Sequence, residues 1–218
     1  MTDASPADLP DGLAADPESA DVHDAIRAAT FRALCEHGYS DTTIQHIADE
    51  FEKSKSLLYY HYEDKDELLA EFMRHLLDCL VEELAVDEDD PYAEFRTLVD
   101  RLVPVPMDGA DRRFRRVLLE IRTQAPYDET YRDQFRRSDE LVRGAFADVI
   151  ARGIEAGRFR ETDPERAAEF VQTALLGTME RGVTLDDPEV VARTRRTLLE
   201  YVERYLLVEG ADDPSRGG

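Results

Sequence analysis

Thr42-Thr43-Ile44-Gln45-His46-Ile47-Ala48, followed by Ser54-Lys55-Ser56-Leu57-Leu58-Tyr59-Tyr60-His61-Tyr62 and then Lys65, decides how this chain is read. Ile44, Ile47 and Ala48 recur at helical spacing, and so do Leu58 and Tyr62. The paired threonines suit a helix start, and Ser54 suits another. The chain's three lysines, Lys53, Lys55 and Lys65, all fall in this window, and no arginine lies between Asp41 and Glu67. A lysine ammonium is a compact point charge on a flexible stem and suits a phosphate oxygen. Lysines and tyrosines at helical spacing point to a nucleic-acid-reading element. A solvated helix face has the same composition, and residues alone leave both readings open.

Outward from this stretch the pattern is helical throughout. Val22, Ile26, Ala29, Ala33 and Leu34 form one stripe, stopped by Gly38. Asp64, with Glu67 three residues on, reads as a capping box for a helix carrying Leu68, Leu69, Phe72, Leu76, Leu80 and Leu84. Further helices are expected over 91–103, 110–124, 128–156, 164–181 and 188–208. They are punctuated by Pro104, Pro106, Pro126, Gly157, Pro164 and Pro188. No stretch alternates with a period of two, so the fold class is all-α, with three short helices, a connecting fourth, then about five longer ones.

Three short helices with a tight turn before the third suggest a helix-turn-helix, whose last helix enters the major groove. The quoted residues resemble the DNA-binding domain of the TetR family of transcriptional regulators. That family's pattern has a Thr-Thr start, Ile-Ala in helix two, Leu-Tyr-x-His-Phe in helix three and a lysine three residues later. Leu58-Tyr59-Tyr60-His61-Tyr62 and Lys65 are similar to it, densely over 22–72, and Gly157-Arg158-Phe159 adds a further likeness. The resemblance implies that Thr43 bonds a phosphate, that Gln45 reads a base edge, and that Lys55 and Ser56 reach bases from the start of the recognition helix. It implies that Leu57 packs on a thymine methyl, and that Tyr59, Tyr60 and His61 touch phosphate or sugar. Lys53 and Ser54 belong to the same contact set, and Lys65 adds charge at a helix N-terminus. One departure is at the turn, where Glu52 and Lys53 stand in place of the family's glycine and small apolar residue.

Residues 1–20, with five carboxylates, three prolines and no basic side chain, read as an acidic disordered tail, and the resemblance implies a DNA-binding domain (21–67) and a helical effector-binding and dimerisation domain (68–208), with a short disordered tail expected at 209–218. The last two helices are expected to pair with their copies in a homodimer, through Ala167, Phe170, Val171, Ala174, Gly177, Leu198, Val202 and Tyr205. The alternative is that these stripes are intramolecular core. An effector pocket is expected among 91–156, with Phe95, Leu98, Leu102, Phe114, Leu118, Ile121, Tyr127, Phe146 and Ile150 as candidate lining, each of which also suits plain core. The run Arg112-Arg113-Phe114-Arg115-Arg116 fits either an acidic ligand or a solvated face.

Composition bounds these expectations. The chain has 218 residues and a formal net charge of −22. At ordinary ionic strength that balance opposes both DNA and anionic membranes, and the window 41–67 itself holds eight carboxylates against its three lysines. A lysine-poor, pervasively acidic surface resembles the proteins of salt-accumulating halophiles, an archaeal source among them. There molar salt shortens the screening length to roughly 3 Å and leaves base contacts and short hydrogen bonds to carry affinity. Cys35 and Cys79 lie in apolar helical patterns, which fits a reducing cytoplasm. No apolar run reaches membrane-span length, and the acidic N-terminus is unlike a signal peptide. His75 and Cys79 have i, i+4 spacing but make an incomplete metal site. No nucleophile elbow or phosphate loop appears, so no enzyme, cofactor or metal is expected. The expected function is a dimeric, cytoplasmic, ligand-responsive regulator that represses from a palindromic DNA operator until a small apolar effector releases it. The alternative is a helical ligand- or protein-binding module that has lost DNA binding.

Overall fold

The computed structural model describes residues 22–51, 55–185 and 187–208. Among them the regular elements are helices: α1 (Val22–Asp41), α2 (Ile44–Glu50), α3 (Lys55–His61), α4 (Lys65–Leu84), α5 (Pro91–Leu102), α6 (Gly109–Arg122), α7 (Glu129–Glu155), α8 (Pro164–Thr184) and α9 (Pro188–Tyr205). The all-α expectation holds. The expectations for the tails at 1–20 and 209–218, for Lys53 and Ser54, and for the Glu52-Lys53 turn fall outside the described residues.

Local chemistry accounts for where these helices begin. Asp90, Asp108, Asp163 and Asp187 cap α5, α6, α8 and α9 with side-chain oxygens that accept backbone N–H groups, and proline opens α5, α8 and α9. The capping box at α4 forms with a shift of one residue. Asp64 Oδ1 accepts the Glu67 N–H at 2.9 Å, and Glu67 Oε2 accepts that of Glu63, not Asp64, also at 2.9 Å. Gly38 interrupts α1 without ending it, at φ 72, ψ 169, a region open almost only to glycine.

The chain divides into two compact units. The first comprises Met1–Leu80 with Asp108–Arg137, and the second Val81–Met107 with Ser138–Gly218. α6 presents Val117 and Ile121 to the core built by Phe31, Leu34, Ile47, Leu58, Leu69 and Phe72, with Tyr131 and Phe135 from the start of α7. The second unit's core joins Phe95, Leu98, Phe146, Ile150, Phe159, Val171 and Val202.

At the end of α7 the familiar Gly-Arg-Phe triplet has a definite role. Gly157 takes φ 67, and the Arg158 and Phe159 N–H groups return to the Gly153 carbonyl at 2.8 and 2.9 Å. This lays the Phe159 ring on Gly153, where an added Cβ would lie 2.0 Å from Phe159 Cδ2. Alanine favours a helix by about 1 kcal/mol over glycine, but overpacking a buried ring costs about 1–3 kcal/mol. Gly153→Ala is therefore expected to lower the unfolding midpoint in urea. An unchanged or raised midpoint would show that the ring moves aside freely.

Candidate functional site

The quoted stretch folds into two seven-residue helices whose apolar residues turn inward. Ile47, Ala48, Leu58 and Tyr62 are buried, and the polar residues between them lie outside. Thr42 is buried, its hydroxyl donating to the Gly38 carbonyl at 2.6 Å, while exposed Thr43 caps α2 by accepting the His46 N–H at 3.1 Å. The pair thus divides the work: one threonine fixes the turn and the other starts the helix.

Gln45, Lys55 and Tyr59 meet on the exposed face of α2 and α3. The Tyr59 hydroxyl donates to Gln45 Oε1 at 3.0 Å, and Gln45 Nε2 donates to Asp49 Oδ1 at 3.0 Å. Lys55 Nζ donates to the same carboxylate oxygen of Asp49. Hydrogen bonds from Lys55 and then Gln45 hold the Asp49 carboxyl below its ordinary range. Beside this cluster Ser56 is exposed, and Tyr60 is 83% exposed. Leu57 is half-buried against the first core, so only part of it faces out. His61 is half-buried, edge-on to His23 at 5.2 Å and to Tyr60 at 5.4 Å.

Lys65 has a partner that sequence reading missed. Its ammonium lies 4.7 Å from the centre of the Tyr39 ring and donates to the Tyr39 carbonyl at 3.2 Å. Tyr39 is in turn held by α6, because Glu120 Oε2 accepts its N–H at 2.8 Å, and Arg116 donates to the Cys35 carbonyl at 2.7 Å. The free carbonyl and N–H groups around the Gly38 break are thus satisfied from α6. This gives Arg116 a structural task within the arginine run, and Arg112, Arg113 and Arg115 are also engaged within the protein. Burial pushes the Cys35 thiol up to about 11, leaving it protonated and unreactive at neutral pH. His75 Nε2 and Cys79 Sγ lie 3.6 Å apart and bond each other, and the described residues contain no cluster of three or more potential metal ligands.

The expected effector-lining residues divide between the two cores. Phe95, Leu98, Phe146 and Ile150 are buried in the second core, where the Phe95 and Phe146 rings lie 5.1 Å apart and Leu102 packs alongside. Phe114, Leu118 and Ile121 belong to the first core. Tyr127 is 89% exposed and lines neither core, because it sits in the turn after α6. The expected dimer residues also divide. Val171, Leu198 and Val202 are buried in the second core, with Ala167 and Ala174 packed against it. Phe170 and Tyr205 are exposed, and Tyr201, not anticipated, joins them in a row of rings with centroids 5.6 and 4.6 Å apart. Gly177 opens onto free space. No helix among the described residues is long and apolar enough to cross a membrane.

Comparison with known proteins agrees with this geometry. Residues 26–72 match the model described as bacterial regulatory proteins, tetR family, and residues 91–207 match that of the BetI-type transcriptional repressor, C-terminal. A TetR transcription regulator from Haloarcula marismortui has a crystal structure similar to this chain, with a TM-score of 0.78 and 42% identity, covering 84% of this chain and 97% of that one. The HTH-type transcriptional regulator BetI of Ectopseudomonas mendocina is 35% identical over 78 residues, which is 34% of this chain. HbdR of Aromatoleum sp. is 34% identical over 84 residues, which is 38% of this chain. The matched segments span only 40% and 36% of those two relatives.

Proposed function

This chain belongs to the TetR family of transcriptional regulators, and from that premise we propose that it is a dimeric repressor of a palindromic operator. In this reading a small effector releases the operator. The observation that carries the proposal is the exposed polar face of α2 and α3. Gln45, Lys55, Tyr59 and Tyr60 lie there on two short helices anchored by buried Ile47 and Leu58. Lys55, Ser56, Gln45 and the outer part of Leu57 supply base contacts, and Thr43, Tyr59, Tyr60, His61 and Lys65 fix the register on phosphate and sugar.

The dimer surface is the exposed row Phe170, Tyr201 and Tyr205, with Gly177 leaving room for close approach. The apolar residues Phe95, Leu98, Leu102, Phe146 and Ile150 are the proposed effector seat. α6 gives the first unit a means of sensing change, since Arg116 and Glu120 hold α1 just before the Thr42-Thr43 start of α2. An effector preferring the released state by ~100-fold supplies about 2.7 kcal/mol of coupling. The acidic surface fits a cytoplasm rich in salt, as in halophilic archaea.

Footprinting on DNA from upstream of the chain's own gene tests the reading, with Lys55→Ala and Tyr59→Ala beside it and Phe170→Glu to split the dimer. A protected palindrome is expected, lost in the first two variants, and in the third together with a halved mass in sedimentation. Specific DNA binding indifferent to Lys55 and Tyr59 would contradict the assignment. If no DNA is protected, the acidic face of α2 and α3 is better read as a docking surface for protein.

A further inference from the structure

Asp49 makes no direct appeal as a DNA contact, since a carboxylate on such a face repels phosphate. Its place in the cluster gives it another task. An ionised carboxylate only accepts hydrogen bonds, so the Gln45 group 3.0 Å from Asp49 Oδ1 must be its NH2. The other end of the amide, Oε1, then receives the Tyr59 hydroxyl at 3.0 Å. Lys55, donating to the same Asp49 oxygen, keeps that carboxyl ionised. One N–H and one lone pair of the amide remain uncommitted by these bonds. Adenine shows the complementary pair in the major groove, an acceptor at N7 and a donor at N6. A flipped amide would present the reverse order, and Asp49 forbids the flip.

We propose that Asp49 is a specificity-determining positioning residue, which locks the Gln45 amide in the orientation that reads an adenine in each operator half-site. The inference rests on the DNA-reading assignment above. It separates Asp49 from Lys55: the lysine touches DNA itself, and the aspartate acts only through the Gln45 amide.

Selection from a pool of randomised duplexes tests it, using the full chain and four variants: Asp49→Asn, Asp49→Glu, Gln45→Ala and Lys55→Ala. The unaltered chain is expected to select adenine about tenfold over other bases at one position of each half-site. Gln45→Ala removes that preference. Asp49→Asn, whose amide accepts or donates and so permits the flip, reduces it to about twofold while binding the best site within about threefold of the unaltered chain. Asp49→Glu, still acceptor-only, retains it. Retention of the adenine preference in Asp49→Asn would overturn the proposal, as would a Gln45-dependent position that selects another base. Loss of all binding by a folded Asp49→Asn chain would also overturn it, because Asp49 would then set affinity. In these cases a selected site that is lost in Lys55→Ala leaves the DNA-reading assignment standing. No selected site for the unaltered chain overturns both.

Discussion

Lys55→Glu is expected to abolish specific DNA binding, with a loss of at least about 100-fold, while leaving the fold intact. The Lys55 side chain is 53% exposed, and its ionic partner is Asp49. Substitution of an exposed residue of this kind usually changes stability by no more than about 0.5 kcal/mol. At the DNA surface the effect is of another size. The change removes a phosphate- or guanine-seeking cation and sets a carboxylate beside Asp49 on a face already short of positive charge. Like charges brought together at an interface cost several kcal/mol, and about 2.7 kcal/mol is already 100-fold. In a dimer the penalty applies at both half-sites. Titration at one fixed salt concentration reads it directly. Binding within threefold of the unaltered chain would remove Lys55 from the interface.

Leu58→Ala is expected to cost about 2–5 kcal/mol of stability in the first unit, the range for a buried leucine cut to alanine. α3 has seven residues, too few for a helix to stand by itself in water. Leu58, fully buried, anchors it in the core that also holds Ile47, Leu69 and Phe72. A loss of this size is a large share of the 5–15 kcal/mol typical of whole proteins. The unfolding midpoint in denaturant should fall accordingly, and DNA binding should fall with it because the reading helix is no longer presented. A shift below about 1 kcal/mol would mean that α3 is held by something other than this side chain.

The residues announced most of the secondary structure, because caps and breakers act locally. Asp90, Asp108, Asp163 and Asp187 sit immediately before their helices, and the proline-led starts at 91, 164 and 188 fall where expected. What stayed hidden was partnership between distant elements. The stripe of α6 says that Val117 and Ile121 are buried, but a 3.6-residue period does not say against what, so the grouping of α6 with α1 was not legible. For the same reason the stripes of Val171, Leu198 and Val202 suit a second copy or this chain's own core, and the structure buries these three in the second core. Tyr201 escaped notice because an exposed aromatic has no periodic signature.

The site divides along the same line. Gln45, Lys55 and Tyr59 were legible from spacing and from the family likeness. Asp49 was within reach, since a Gln and an Asp four apart on a helix face each other. The seat of Lys65 on Tyr39 and the hold of Glu120 on the same residue join positions 26 and 81 residues apart, and no local pattern reports them.

Charge decides the conditions under which the account is tested. The carboxylate excess around Lys55 opposes DNA at low salt, and molar salt screens both that repulsion and the attraction of the lysines. Binding of the purified protein to DNA from upstream of its own gene, followed from low to molar KCl with Lys55→Ala and Tyr59→Ala beside it, is therefore the most direct measurement. Sequence-specific binding that persists in molar KCl and disappears in both variants is the expected result. Absence of specific binding at every salt concentration, or specific binding that both variants retain, would contradict it.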